Sequence, residues 1–126
     1  MDSEQSASTT GQVFKIMTAI QWAQAVDDGA FIGSSDDARD GFIHLSTAEQ
    51  VSGTLERHFR GQSDLILVAF AASDLDATAL RWEPSRGGAL FPHLYGPLPA
   101  SAALWHTPLP LGPDDVPCIP GDLATC

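Results

Sequence analysis

Residues 64–72, DLILVAFAA, constrain the fold more than any other stretch of the chain. After Asp64 every residue is apolar, so neither alternate set of side chains suits water when the segment is extended. Such a segment is typical of a central strand that is covered on both faces. The sequence therefore predicts a sheet with packing layers on either side of this strand.

Strands and helices alternate before this segment, whereas only strands follow it. The predicted elements are strands at 13–17 and 41–46, each followed by a helix, at 18–29 and 47–60, and then strands at 64–72, 79–84, 93–96 and 102–110. Capping-box spacings, Thr18 with Gln21 and Thr47 with Gln50, indicate both helix starts. This order favours an α+β fold with two helices and a mixed, mainly antiparallel sheet, and argues against a doubly wound nucleotide-binding fold.

The polar segments set the limits of the predicted domain, because 126 residues bury one core. The predicted division is a disordered tail at 1–12, a single α+β domain at 13–111 and a Pro-rich acidic tail at 112–126. Within the domain, GSSDDARD (33–40) has four charged residues and no large apolar one, which predicts a solvated connection or a lid. Cys118 and Cys126 both fall in the C-terminal tail, and we assign them no catalytic role.

The net charge of −10 restricts the classes of partner. Six Lys and Arg spread along the chain cannot form the basic stripe that a long nucleic acid needs, although one or two arginines could hold a small anion. No apolar run approaches the roughly 18 residues of a membrane span. The N-terminal residues lack the charged start and apolar core of a signal peptide. We therefore expect a cytoplasmic protein whose partner is a small molecule and not a long nucleic acid.

Polar side chains on otherwise apolar strands indicate the candidate site. Phosphate-loop, HExxH, CxxC and G-x-S-x-G motifs do not occur in the sequence. The polar strand residues are His44 in FIHLS, His93 and Tyr95 on one face of HLYG, and Arg81 and Glu83 on one face of LRWEP. Burying such groups unpaired costs about 1–3 kcal/mol each, so they either pair with one another or line a shared pocket. His44, His93 and Glu83 would also suit zinc, but they lack the spacing of ligands.

Several of these residues have interpretations that involve no chemistry. Arg81 and Glu83 can pair on the solvated side of a strand. Tyr95 can be a packing ring with its hydroxyl at the surface. His58 on a helix flank and His106 beside a tryptophan are both expected to be structural or exposed.

Four segments carry a family resemblance. They are FKIMTAIQWAQAVDDGAF, DGFIHLSTAEQV, LRWEP and FPHLYGPLP. Together they resemble a family of uncharacterised bacterial proteins, catalogued as domain of unknown function 952, over roughly residues 13–110. The resemblance implies no activity, because the family itself has none assigned.

The segment FIHLS also resembles the His-x-His-Leu-Ser strand of RNA 2′-phosphotransferases, members of the ADP-ribosyltransferase-like fold group. That group binds NAD in the cleft of a split, bent sheet. The resemblance therefore implies a bent or split α+β sheet with His44 in an NAD cleft. The first strand of that group supplies a His or Arg for the nicotinamide ribose, whereas VFKIM offers only Lys15, so His93 is the candidate replacement.

The second resemblance implies an enzyme, a transferase or hydrolase, for which NAD or a related nucleotide is the substrate. The implied catalytic residues are His44, His93 and Glu83, and the implied ligand-binding residues are Ser46, Arg81, Arg86 and Tyr95. Glu83 would stabilise the oxocarbenium ion while the imidazoles hold ribose hydroxyls, and Arg81 or Arg86 would neutralise the pyrophosphate. The alternative is a non-catalytic ligand-binding or protein-interaction module that uses the same polar strand face.

Overall fold

The computed structural model describes residues 11–119. The helices are α1 (Ala19–Asp28), α2 (Ser35–Asp40) and α3 (Ala48–His58). The strands are β1 (Gln12–Thr18), β2 (Ala30–Phe31), β3 (Ile43–His44), β4 (Leu65–Ala71), β5 (Leu80–Pro84), β6 (Leu90–Leu94), β7 (Leu98–Pro99) and β8 (Ala103–Leu109). Residues 1–10 of the predicted N-terminal tail, and the C-terminal tail from residue 120, lie outside the described residues.

The first sheet has the order β1–β4–β8, and both of its pairings are antiparallel. β4 is its central strand, as the two-sided apolar sequence predicts. The two faces of the sheet enter separate core clusters, one with Val13, Met17, Val68 and Phe70, and the other with Phe14, Ile16, Leu65, Leu67 and Ala69. Ala25 of α1 joins the first cluster, whereas Val51 and Leu55 of α3 join the second. The two longer helices therefore cover opposite faces of this sheet.

A second sheet has the order β3–β6–β5 and is also antiparallel, and β2 pairs with β7 as a separate two-stranded ribbon. A bridge joins the first sheet to the segment after β3. In this bridge the Phe14 N–H donates to the Ser46 carbonyl at 2.8 Å, and the Ser46 N–H donates to the Phe14 carbonyl at 2.9 Å. The bridge sets β1 beside the end of β3, where the candidate site lies.

The starts of α1 and α3 follow the predicted capping spacings. The Gln21 N–H donates to the Thr18 hydroxyl at 3.0 Å, and the Gln50 side chain accepts from the Thr47 N–H at 3.0 Å. Gly29 ends α1 with a left-handed φ of 90°, a conformation that glycine adopts without strain. The fold class is α+β with antiparallel sheets.

The predicted number of two helices is wrong, because the structure has a third, α2, in the segment expected to be a solvated loop. Ser34 caps it: its hydroxyl accepts from the Asp37 N–H at 3.2 Å, and its own N–H donates to the Asp37 carboxylate at 2.9 Å. Asp37 is only 3% exposed. The segment is therefore a short helix that is tied to the core through one buried carboxylate.

The strand predicted from His93 begins earlier and includes Pro92 in its middle, between β3 and β5. Pro92 is accommodated because its carbonyl accepts from the Leu45 N–H at 3.0 Å, just beyond the end of β3 at His44. A proline has no N–H to return to Leu45, so this pair is joined by one hydrogen bond at the end of the β3–β6 ladder.

The packed structure continues past residue 111, where the domain was expected to end. The Gly112 N–H donates to the Val116 carbonyl at 2.8 Å, and the Cys118 N–H donates to the Pro110 carbonyl at 2.9 Å. Ile119 packs in the second core cluster, and Cys118 is buried. The apolar residues of this Pro-rich segment show no helix or strand periodicity in the sequence. In the structure they pack the segment against the domain.

Candidate ligand-binding site

Strand pairing brings three of the predicted site residues into one row. His44 in β3 lies directly opposite His93 in β6, and His93 lies directly opposite Arg81 in β5. The ring centroids of the two histidines are 5.8 Å apart. Residues opposite each other in an antiparallel sheet project to the same face. The two histidines therefore share one face of the second sheet.

His93 is 5% exposed and is fixed by a carboxylate. Its Nδ1 lies 2.7 Å from Oε1 of Glu83, which also accepts a hydrogen bond of 2.7 Å from the Tyr95 hydroxyl. The hydrogen bonds from His93 and Tyr95 lower the pKa of Glu83, and the bond to Glu83 raises the pKa of Tyr95. Because the carboxylate is ionised, Nδ1 is the donor. Nε2 has no hydrogen-bond partner within residues 11–119, which leaves it available to a ligand.

His44 is held between two carboxylates of α2. Its Nδ1 lies 2.6 Å from Oδ1 of Asp37, and its Nε2 lies 2.9 Å from Oδ2 of Asp40. The backbone N–H of His44 also donates to Asp37, at 3.1 Å. Both ring nitrogens of His44 thus lie within hydrogen-bond distance of a carboxylate oxygen. A ligand would reach Nε2 by displacing Asp40, whose side chain is 35% exposed.

The buried Lys15 contacts both Asp37 and His44. Nζ of Lys15 lies 3.0 Å from Oδ2 of Asp37 and donates to the His44 carbonyl at 3.0 Å. Burial alone would raise the pKa of Asp37, but the hydrogen bond from His44 and the charge of Lys15 outweigh it and hold that pKa far below its usual range. Burial lowers the pKa of Lys15. Asp37 thus positions the backbone and the ring of His44 at once.

Aromatic contacts limit the movement of the histidine rings. Phe42 stacks on His93 with centroids 4.0 Å apart and an interplanar angle of 21°, and it also lies 4.6 Å from the ring of His44. The Arg81 guanidinium lies 5.1 Å from the centroid of the Tyr95 ring. Both histidines are therefore oriented by a carboxylate on Nδ1 and by a neighbouring aromatic ring.

A cavity of about 330 Å³ opens beside the two histidines, at the lower end of the range for small-ligand pockets. It lies between α2 and α3, with β1 and β6 contributing to its walls. Its polar lining consists of Lys15, Ser34, Asp36, Asp37, Arg39, Asp40, His44, Ser46, Thr54, Arg57, His58, Ser85 and His93. Apolar side chains, among them Phe14, Leu45 and Phe91, supply the remainder.

The predicted site residues divide into two groups around His93. His44, His93 and Ser46 line this cavity. Glu83, Arg81 and Tyr95 do not line it. Glu83 binds His93 from β5, and Tyr95 borders a neighbouring cavity of about 420 Å³. The Arg86 backbone lies in a 3₁₀ turn, but its side chain is outside the described part of the structure.

The two other histidines differ in their surroundings. His58, expected to be structural or exposed, is exposed and borders the cavity. His106 packs against Trp22, with ring centroids 5.1 Å apart, and does not line the cavity. As for zinc, residues 11–119 contain no group of three His, Cys, Asp or Glu placed to hold a metal ion.

Sequence reasoning missed the residues that position His44. Asp37 and Asp40 lie in a segment whose charged residues predicted exposure to solvent. Lys15 lies inside an otherwise apolar strand. The Ser34–Asp37 spacing resembles a helix cap, and a lysine inside VFKIM needs a buried counter-charge. Together those two signals could have placed a carboxylate from residues 33–40 against β1.

These features define a small α+β protein with a ligand-sized cavity beside two histidine–carboxylate pairs. Across residues 11–119, none of the helices has the length and apolar character that crossing a bilayer demands. The chain belongs to the family described as "Protein of unknown function (DUF952)", which matches residues 16–106. This confirms the family resemblance seen in the sequence, while the likeness to the ADP-ribosyltransferase-like group stays a prediction.

Solved structures of protein CC0527 from Caulobacter crescentus are similar to this chain. Its crystal structure is 46% identical over 84% of this chain and 92% of that one, with a TM-score of 0.81. Its solution NMR structure is also 46% identical, over 84% and 90% of the two chains, with a TM-score of 0.76. A comparison with curated proteins finds no match.

Proposed function

We propose that this protein is an ADP-ribosyltransferase-like enzyme that cleaves NAD or a related nucleotide in the cavity beside His44 and His93. The observation that supports the proposal most is the pairing of these two imidazoles on one face, each with a carboxylate on Nδ1, at the wall of a ligand-sized cavity. The FIHLS segment supports a nucleotide as the ligand, because it resembles the strand that enters the NAD cleft of RNA 2′-phosphotransferases.

The chemistry of the proposal follows from the free nitrogen of His93. In hydrolysis, the glycosidic C–N bond breaks, its electron pair stays on nicotinamide, and the oxygen of water forms the new bond to the ribose carbon. Nε2 of His93 accepts the proton of that water as a general base. Glu83 acts through His93 rather than on the ribose, because it bonds Nδ1 and stabilises the resulting imidazolium. His44, once Asp40 moves aside, donates from Nε2 to a ribose hydroxyl.

We expect purified protein to bind ADP-ribose in calorimetry and to release nicotinamide from NAD over time. Glu83→Gln removes the charge that stabilises the His93 imidazolium, so it should slow nicotinamide release by roughly 100-fold or more while ADP-ribose still binds. Glu49→Gln is the matched control, because Glu49 is an exposed acid in the first turn of α3 and lies away from the cavity. Equal rates for the two variants would contradict the role of Glu83.

A binding module is the second candidate, and one feature of the site favours it. Oε1 of Glu83 already accepts two hydrogen bonds, and the carboxylate does not line the cavity beside the two histidines. Under this alternative, calorimetry detects binding of ADP-ribose and NAD. No nicotinamide is released from NAD, however long the incubation. Absence of binding by NAD, ADP-ribose and nicotinamide at millimolar concentration would exclude the nucleotide for both candidates.

A further inference from the structure

The basic side chains of this acidic protein are concentrated in one place. The chain carries a net charge of −10 and only six Lys and Arg and four His. Three of those six (Lys15, Arg39, Arg57) and three of those four (His44, His58, His93) line the cavity of about 330 Å³. Basic groups gathered in a concave site raise the local concentration of anionic ligands wherever neighbouring acids do not neutralise them. The distribution therefore favours an anionic ligand.

Three of these six basic groups are already paired with acids of the same cavity. Lys15 pairs with Asp37 at 3.0 Å, and Arg39 pairs with Asp36 at 3.3 Å and with Asp40 at 3.1 Å. His44 also contacts Asp37 and Asp40. The three acidic residues of the lining are thus occupied by groups other than Arg57.

Arg57 is the cation left for a ligand. Its guanidinium forms no hydrogen bond or ion pair with any part of the chain that the structure describes. It lies in the last turn of α3, and Thr54 shares its face of the helix because it is three residues before it. Thr54 approaches Ser46, with 3.4 Å between the two hydroxyl oxygens. Arg57 therefore lines the same cavity as the hydroxyl groups of Thr54 and Ser46.

We propose that Arg57 forms the phosphate subsite of this cavity and binds a pyrophosphate or phosphomonoester group of the ligand. A guanidinium suits this role because its planar donors match two phosphate oxygens at once. The assignment replaces Arg81, which lies over Tyr95 outside this cavity, as the residue that neutralises the phosphates. The identity of the ligand as a nucleotide rests on the proposed function. Phosphate binding at Arg57 does not require the protein to turn over a substrate.

The test compares Arg57→Gln with Arg60→Gln in calorimetry. Arg60 follows the same helix but pairs with Glu56 and donates to the Asp114 carbonyl, and it does not line the cavity. Titrations with inorganic pyrophosphate, ADP-ribose and nicotinamide riboside separate the phosphates from the nucleoside. We expect Arg57→Gln to weaken pyrophosphate and ADP-ribose by roughly 10- to 100-fold, the scale of a hydrogen bond to a charged group, and to leave nicotinamide riboside unchanged. Arg60→Gln should match the wild type.

Other outcomes separate this proposal from the proposed function. Pyrophosphate binding that is absent, or that Arg57→Gln and Arg60→Gln change equally, overturns the phosphate subsite even when NAD is cleaved. Loss of pyrophosphate binding in Arg57→Gln alone supports the subsite even when no nicotinamide is ever released. Arg57→Lys keeps the charge without the planar fork, so it should restore part of the affinity for pyrophosphate; no recovery together with a lowered melting temperature would assign Arg57 a structural role instead.

Discussion

At the scale of single residues, Asp37 connects the fold to the candidate site. Its carboxylate contacts the buried Lys15 and both the backbone and the ring of His44, and it also caps the start of α2. A buried ion pair adds little net stability over a hydrophobic pair, but removing one partner leaves a charge without compensation. The structural role of Asp37 and its role in orienting His44 are therefore inseparable.

Asp37→Asn should lower the free energy of unfolding by roughly 3–5 kcal/mol, because Lys15 stays buried without its counter-charge. Urea denaturation measures the change. Asp36→Asn is the control, since Asp36 pairs with Arg39 on the surface, where side chains are about 70% exposed and ion pairs contribute at most about 1 kcal/mol. A loss for Asp37→Asn no larger than that for Asp36→Asn would contradict the buried pair.

The same variant has a defined pH dependence. The pKa of Asp37 in the folded protein lies far below that of an unfolded aspartate, about 3.9, so the folded state binds fewer protons. Its contribution to stability is complete above pH of about 5 and is lost progressively as the pH falls below about 4. Asp40, Asp76 and Glu83 also have lowered pKa values and stay in both proteins. The wild type should therefore lose stability between about pH 5 and pH 2 more steeply than Asp37→Asn, and parallel curves would contradict this.

At the scale of elements, α2 is the part of the fold that sequence patterns predicted worst. α1 and α3 follow from capping spacings, and β4 from its two apolar faces. α2 has six residues, too few for a periodic apolar stripe, and it is stabilised by contacts with Lys15 and His44, which are distant in sequence. The Ser34–Asp37 spacing is a local sign of a helix start, but no local pattern shows a burial that depends on partners in two other strands.

Gly33, just before α2, tests whether this short helix holds Asp37 in place. Its φ of 121° is unfavourable for other residues, and an added Cβ would lie 2.9 Å from Cβ of Asp37. Gly33→Ala should reduce the free energy of unfolding by roughly 1–3 kcal/mol and speed amide hydrogen exchange in α2. Gly53→Ala in α3 is the control: nothing lies within 4 Å of its added Cβ, so it should stabilise by about 0.5–1 kcal/mol. The same sign for both variants would contradict the close approach at Gly33.

At the scale of the whole molecule, the candidate site depends on strand register. The sequence identified His44 and His93 as polar residues on apolar strands, but it could not show that β3 pairs with β6 so that the two meet. Nor could it show that Arg81 and Glu83 lie on the side of His93 that faces away from β3. This placement arises because β5 pairs with the edge of β6 opposite β3. The concentration of basic groups around one cavity likewise arises only when α2 and α3 come together.

The most direct test of a ligand site at the two histidines is an NMR titration that follows the ring signals of all four histidines as ADP-ribose is added. His44, His93 and His58 line the cavity, whereas His106 packs against Trp22 away from it and serves as the internal control. The structure predicts saturable shifts for His44 and His93, a smaller shift for His58, and none for His106. Unchanged signals for His44 and His93 at saturating ADP-ribose, or a largest shift at His106, would contradict a site at the paired histidines.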